Sequence, residues 1–386
     1  MKIVGIICEY NPFHSGHKKQ LDWIRAKFDG DCGIVCLMSG NFVQRGQPAI
    51  FDKSLRSQAA MICGADLVLE LPVNYALSSA EGFAAGGVKI LSKFCDYLCF
   101  GSESGDEAQL METARILLSD AFTPTLKKEL QSGVSFPSAR QRALKSLGCD
   151  HSLLEKPNNI LAVEYCKAIL QQGCSMLPLP ICRNGDYHAT VADTENPSAT
   201  AVRQLLLANG NWQACVPQEI QSLYTDATLH TVTAGERAIL AKLRTMTDEE
   251  FASLPFGSEG LWRKLMHASR TYATLEEILT ATKSKRYTRT RLDRMVMCAY
   301  LGITDLSTPP RYTRVLGFND TGKRILKLAR QSGEFLHIGN KDTGNDYRLE
   351  QRCDDLYSLF SQNSPEKPGM SSKRRVFLSS DTKNSR

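Results

Sequence analysis

No run of about 18 consecutive apolar residues occurs in the 386-residue sequence, so an ordinary membrane-spanning helix is not expected. A secretory leader is not expected either. The apolar stretch at the N-terminus, Ile3–Cys8, is six residues long and no small-residue cleavage site follows it, which points to a soluble, cytoplasmic protein. The 13 cysteines are odd in number, and Cys8, Cys36, Cys63, Cys99 and Cys166 sit singly inside apolar runs, as reduced, buried small hydrophobes do. No internal repeat is present. What is present is a 42% hydrophobic composition, enough for a sizeable core, spread over a length that suggests two or three domains.

The net charge of +6 is unevenly placed. Residues 201–386 hold 28 Lys and Arg against 20 Asp and Glu, whereas residues 1–200 hold 19 against 21. The basic excess peaks in KSKRYTRTRLDR, residues 283–294, with six basic residues and one acidic. A polyanion is the simplest partner for this segment, and nucleic acid the leading one. A solvated helical face is the alternative. Lys285, Arg286, Arg289 and Arg291 are the cationic candidates for RNA, and Tyr287 can stack on a base.

Hydrophobic patterning divides the chain. In residues 1–204, near-continuous apolar runs at 2–8, 33–38, 66–72, 96–101 and 175–182 read as strands buried on both faces. Between them lie helical patterns at 15–27, 52–63, 78–94, 106–147 and 158–171. This alternation predicts an α/β, doubly wound parallel sheet, whose ligands bind beyond the carboxyl ends of the strands. Residues 205–309 read as a basic helical domain and 310–362 as a small mixed α/β unit. Residues 363–386, rich in Ser, Pro and Lys, read as a flexible tail.

The chemistry concentrates in CEYNPFHSGHKKQ, residues 8–20, directly after the first strand. His14 and His17 are three apart at the start of a helix, with Ser15 available to cap it and Gly16 giving a ligand close access to the backbone. Helix N-terminal amides favour an anion there, and two imidazoles can stabilise charge developing on an α-phosphate. Lys18 and Lys19 add positive charge for a pyrophosphate leaving group. Satisfied surface histidines are the alternative, and no carboxylate–histidine cluster completes a metal site here. NPSATAVR, residues 196–203, supplies a second candidate: Ser198 and Thr200 can cap a helix and donate to phosphate, and Arg203 offers a planar fork to the β- and γ-phosphates.

The first motif resembles the HxGH signature of the nucleotidyltransferase superfamily, whose HUP-like fold is shared with class I aminoacyl-tRNA synthetase catalytic domains. The second resembles its Ser-x-Thr-x-x-Arg motif. The longer strings SGNFVQRGQPAIFDKSLRSQAA (39–60), GADLVLELP (64–72), SSAEGFAAGGVKIL (78–91), FGSESGD (100–106), PNNILAVEY (157–165), EGLWRKL (259–265) and KSKRYTRTR (283–291) closely resemble the bacterial tRNA(Met) cytidine acetate ligase family. That resemblance implies an enzyme that activates acetate with ATP as acetyl-adenylate. It then passes the acetyl group to the N4 amine of the wobble cytidine in elongator tRNA(Met), with magnesium accompanying ATP. By the same pattern, Ile7, Cys8, Glu9, Tyr10, Asn11, Pro12, Phe13, His14, Ser15, Gly16, His17, Lys18, Lys19 and Gln20 line the ATP site. Gly101, Asn158, Arg183 and Asn184 join them, along with Ser198, Thr200 and Arg203. His14 and His17 are the catalytic pair. Gln44, Arg45, Lys53 and Arg56 form a polar cluster that is a candidate for acetate or the acceptor. An adenylyltransferase making a small nucleotide cofactor is the competing reading, and the large basic second half argues against it. Ala189 stands where the family pattern has Asp, next to His188. The sequence points to no protein partner.

Overall fold

The computed structural model describes residues 1–182, 196–284, 286–310, 313–333, 336–337 and 344–378. Five parallel strands form the centre of the sheet: β1 (Lys2–Cys8), β2 (Cys32–Ser39), β3 (Leu67–Leu71), β4 (Tyr97–Ser102) and β5 (Leu177–Cys182). Their spatial order is 3-2-1-4-5, so the winding reverses at β1 and opens a crevice between β1 and β4. Side chains alternate between two cores. Ile3, Ile7, Val35, Leu37, Leu67 and Leu69 meet helices Ala80–Leu91, Pro157–Gln172 and Asp320–Gln331 on one face. Val4, Ile6, Ile34, Cys36 and Val68 meet helices Ser15–Lys27, Lys53–Ile62, Ala199–Leu207 and Gln218–Thr225 on the other. Coverage on both faces is the physical reason these strands read as unbroken apolar runs. Among the described residues no helix is long and apolar enough to cross a membrane.

The region expected as one long helical stretch, 106–147, breaks into three helices, Glu107–Leu118, Phe122–Gln131 and Phe136–Ser146. In the second half, helices Val232–Thr245, Asp248–Ala252, Leu261–Thr271, Leu275–Thr282 and Arg289–Leu301 build a third core around Ile239, Leu243, Leu265, Ile278 and Met295. Helix Gln218–Thr225 does not belong to that bundle. It packs on the sheet through Ile220 and Tyr224.

The C-terminal segments are part of the sheet as well. β6 (Thr313–Phe318) pairs antiparallel with β3, and β7 (Phe377–Leu378) pairs parallel with β6. Residues read as the start of a flexible tail are therefore held up to Leu378, with Arg374 bonded to Asp52 at 2.7 Å. The last eight residues, 379–386, lie outside the described residues.

Helix Asn345–Tyr357 delivers two acids into the end of the sheet. Asp354 meets the fully buried Lys53 ammonium at 2.7 Å, and Glu70 meets it at 2.6 Å. Glu350 accepts the Val73 N–H at 2.8 Å. Burial, then the neighbouring Glu70 carboxylate, pushes its carboxyl up to about 8. The folded state therefore holds a proton that the unfolded chain releases above about 4.5, and this contribution to stability declines as pH rises from about 4.5 to about 8. Glu350→Gln keeps the acceptor and removes the titration. Its melting temperature relative to wild type is expected to rise steadily from pH 5 to pH 8; a constant difference across that range contradicts the assignment.

Candidate active site

β1 ends at Cys8, and the chain then turns through Glu9–Phe13 before entering helix Ser15–Lys27. His14, not Ser15, caps this helix. The His14 Nδ1 accepts the Gly16 N–H at 3.1 Å, and the His17 Nδ1 accepts the His14 N–H at 3.3 Å. This is a capping box built from two imidazoles in place of Ser and Glu. Because each Nδ1 is an acceptor, the hydrogen-bond pattern assigns the ring proton of each histidine to Nε2. The rings stack at 3.8 Å with an interplanar angle of 27°, so two N–H donors are paired within one small volume. Gly16 suits this packing, since a Cβ there would lie 3.0 Å from the His14 ring and press it out of place by a few tenths of an ångström.

The turn is supported from behind. Ile7, Cys8, Tyr10 and Phe13 are buried core residues. Tyr10 adopts a φ of 45° and places its hydroxyl 3.3 Å from the Cys36 sulfur. Tyr224 donates to the Phe13 carbonyl at 3.1 Å, and Asn11 accepts the Ile50 N–H at 2.7 Å. Gln20 lies 3.6 Å from the Cys99 sulfur in β4, which ties the helix to the other lip of the crevice.

The second motif reaches the same turn. Ser198 caps helix Ala199–Leu207 by accepting the Ala201 N–H at 3.0 Å. Arg203 donates to the Asn11 carbonyl at 2.6 Å, across 192 residues of sequence, and to Thr200 Oγ1 at 3.1 Å. Lys19 Nζ lies 3.5 Å from Asn196 Oδ1, beside that motif. Lys18 instead pairs with Asp22 at 3.2 Å along its own helix. Thus His14, His17, Lys19, Ser198, Thr200 and Arg203 gather at one switch point, although residues 21–195 separate the motifs in sequence.

On the opposite lip, Gly101 lies within β4, paired with Ile181, rather than beyond the strand. Asn158 donates its side-chain amide to Glu103 Oε1 at 2.8 Å, and the Asn159 N–H reaches Glu103 Oε2 at 2.7 Å. Glu103 therefore supplies the N-terminal acceptor that helix Pro157–Gln172 lacks from its own Lys156 cap. Asn159 Oδ1 receives Ser102 Oγ and the Glu103 and Ser104 amides, so it shapes the loop after β4. Arg183, Asn184 and His188 lie outside the described residues.

The polar cluster offered as an acetate candidate is divided by the structure. Arg56 is fully buried, and its guanidinium donates to the carbonyls of Glu9, Ser39, Gly40 and Phe51. It staples the ends of β1 and β2, and Lys53 is committed to Glu70 and Asp354. Both are structural cations. Burial lowers the Arg56 pKa and outweighs the opposing pull of nearby Tyr357, Asp52 and Glu9. Gln44 has a different part: its N–H donates to Glu9 Oε1 at 2.7 Å, which anchors the loop after β2 to the turn that follows β1. Gly46 in that loop sits with φ +73° directly on helix Arg289–Leu301, where a Cβ would come within 2.3 Å of the Arg294 nitrogen. The helical bundle is thereby seated against the site.

Within the basic segment, Arg286 is 70% exposed and pairs with Glu259 at 2.8 Å. Arg289 is neutralised by Glu276 at 2.7 Å and Asp293 at 2.8 Å. Arg291 bonds the Phe256 carbonyl and lies 5.1 Å over the Tyr287 ring. Tyr287 is 9% exposed and belongs to the bundle core. Its ring thus supports the loop from below and does not present a face for a base. Lys285 lies outside the described residues.

The 3-2-1-4-5 sheet with a paired-histidine helix start at its switch point defines the class: a nucleotidyltransferase. The family model for HIGH nucleotidyl transferases matches residues 1–372. A tRNA(Met) cytidine acetate ligase of Acetivibrio thermocellus is 37% identical over 400 residues, covering 94% of this chain and 96% of that protein. One from Alkaliphilus metalliredigens is 37% identical over 406 residues, covering 94% and 95%. The crystal structure of apo Thermotoga maritima TmcAL superposes with a TM-score of 0.89 at 28% identity, covering 98% of this chain and all of that one. TmcAL bound with alpha-thio ATP superposes at 0.87, also at 28% identity, covering 98% and 99%. The chain belongs to the tRNA(Met) cytidine acetate ligase family.

Proposed function

We propose that this protein is an ATP-dependent ligase that joins acetate to a cytidine of tRNA(Met), in two half-reactions at the crevice between β1 and β4. In the first, an acetate oxygen attacks the α-phosphorus of ATP; the bond to the bridging oxygen breaks, giving acetyl-adenylate and pyrophosphate. The His14 and His17 N–H groups donate to the charge that grows on the α-phosphate oxygens. Lys19 and the start of helix Ala199–Leu207 face the departing phosphates, and Arg203 holds the Asn11 carbonyl so that the histidine turn keeps its shape. In the second, the N4 amine of the wobble cytidine of elongator tRNA(Met) attacks the acyl carbon. A C–N bond forms, AMP leaves and the amine loses a proton. The observation that carries this reading is the stacked histidine pair at the switch point, with both ring protons assigned to Nε2.

Magnesium enters only as the ion carried by the triphosphate. Among the described residues no group of three or more His, Cys, Asp or Glu side chains is placed to hold it.

The half-reactions separate experimentally. Acetate-dependent ATP–pyrophosphate exchange without tRNA reports the first, and acetyl transfer to tRNA reports the second. Arg286, the most exposed of the described cations proposed for RNA, belongs to the second alone. Arg286→Glu is expected to raise the tRNA concentration for half-maximal transfer about tenfold or more, as reversal of a phosphate-contacting charge does, and to leave exchange unchanged. Equal loss of both half-reactions contradicts the RNA role.

A further inference from the structure

The basic segment 283–294 approaches the crevice from one side. Helix Arg289–Leu301 rests on Gly46, in the loop that follows β2. The sheet order places β2 and β4 on opposite sides of β1, so a substrate as large as a folded RNA also overhangs the β4–β5 side. That side carries an insertion, the helical hairpin Phe122–Gln131 and Phe136–Ser146.

This hairpin is basic within an otherwise acidic half of the chain. It holds Lys127, Lys128, Arg140, Arg142 and Lys145 against the single acid Glu129. Arg140 is used internally, bonded to the buried Glu164 at 2.8 Å. Lys127, Lys128, Arg142 and Lys145 are exposed, and among the described residues the one carboxylate within ion-pair distance of them is Glu129, 4.0 Å from Arg142. At the first position of the second helix stands Phe136, 55% exposed, the most exposed large apolar side chain among the described residues.

Two bonds set the hairpin near the crevice. Gln141 reaches the Leu154 carbonyl at 3.4 Å, just before helix Pro157–Gln172 begins, and Arg140 reaches Glu164 within it. Glu164 is five residues beyond Asn159, about 8 Å along the helix axis. Asn159 is itself bonded to Glu103 at the carboxyl end of β4. An exposed aromatic ring among four exposed cations is the pattern that grips a single-stranded or looped polyanion: the cations track phosphates and the ring stacks on a base.

We infer that the hairpin 122–146 is a second RNA-contacting surface, with Lys127, Lys128, Arg142 and Lys145 on the phosphate backbone and Phe136 against an unpaired base. The inference rests on the tRNA substrate proposed above and adds the face that holds the side of the RNA opposite the 283–294 segment.

The test uses the full chain with a tRNA(Met) transcript. A Lys127→Gln/Lys128→Gln/Arg142→Gln/Lys145→Gln variant and a separate Phe136→Ala variant are compared with wild type by tRNA binding across a salt series and by acetate-dependent exchange. The quadruple variant is expected to bind about tenfold or more weakly at moderate salt, with a log–log salt slope shallower by about 2–3. Phe136→Ala is expected to weaken binding several-fold with the slope unchanged, because stacking releases no counterions. Exchange stays at the wild-type level in both. Unchanged affinity and slope in the quadruple variant overturn the inference, and so does a fall in exchange parallel to binding. If wild type itself neither binds nor acetylates tRNA, the proposed substrate fails and the surface fails with it. Wild-type binding beside unaffected variants sinks the surface alone.

Discussion

His14→Asn and His17→Gln are each expected to fold, melt within a few degrees of wild type, and lose about 10²–10³-fold in acetate-dependent exchange. The choice of replacements separates chemistry from structure. His14 caps its helix through Nδ1 and His17 closes the capping box, so alanine at either position removes a cap worth about 1 kcal/mol as well as the donor proposed for the chemical step. Asparagine is a strong N-cap, and glutamine at the third helical position can still reach back to the cap N–H. The asparagine amide is too short to reach the Nε2 position, and a glutamine amide can approach it but lacks the rigid ring that fixes the N–H; losing one donor to a developing oxyanion costs about 2.7–4 kcal/mol. Rates within tenfold of wild type in both variants would remove the histidines from the chemical step. Unfolding of both would show that the capping geometry, and not the side-chain volume, had been misread.

Lys53→Met is expected to lower stability by about 3–5 kcal/mol, read as a fall in the denaturant midpoint. The ammonium is sealed in with Glu70 at 2.6 Å and Asp354 at 2.7 Å, and all three side chains are nearly inaccessible. Burial pulls the Lys53 pKa down, but the two carboxylates outweigh it and hold the pKa above its ordinary value. Removing the cation leaves two buried acids, of which Asp354 keeps Arg314 at 3.6 Å. The cluster also joins β3, helix Lys53–Ile62 and helix Asn345–Tyr357, so its loss releases the C-terminal helix from the sheet. Lys53→Met combined with Glu70→Gln and Asp354→Asn is expected to recover most of the loss, because the uncompensated charge goes with the carboxylates. An unmoved midpoint in the single variant contradicts a structural role for Lys53 and restores it as a candidate for substrate.

The strands and the first helix were legible because their physics is local. β1 to β5 are covered on both faces and therefore written as unbroken apolar runs, and their observed ends fall within two residues of the sequence reading. Helix Asn345–Tyr357 escaped that reading because two of its inward positions, Glu350 and Asp354, are charged. Their partner Lys53 lies about 300 residues away, and no periodicity of apolar residues reveals such a pairing. Helix Gln218–Thr225 buries only Ile220 and Tyr224, too few positions in eight residues to establish a helical period.

At the site, spacing and position were enough to single out His14, His17 and Arg203, but not what each does locally. Ser15 looked like the cap, whereas the His14 imidazole takes that part since its Nδ1 is free to accept once the proton is on Nε2. Arg203 looked like a phosphate ligand, whereas the structure shows its guanidinium bonded to the Asn11 carbonyl and Thr200 Oγ1. Arg56 read as a candidate for acetate or the acceptor, whereas four carbonyls surround its guanidinium. Tyr287 read as a stacking platform because an aromatic residue among cations is usually outside, yet the bundle core needs its ring. Glu103 and Asn159 gave no signal, since a carboxylate that caps a helix more than fifty residues away is invisible in a linear string.

The most direct measurement is incubation of the purified protein with ATP, magnesium, isotopically labelled acetate and total tRNA, followed by mass spectrometry of the digested nucleosides. Label in N4-acetylcytidine derived from tRNA(Met), dependent on ATP and abolished in a His14→Asn/His17→Gln variant, is the predicted result. Pyrophosphate release that proceeds with some other acceptor while every tRNA nucleoside stays unlabelled would contradict it, keeping the nucleotidyltransferase site but not its RNA substrate.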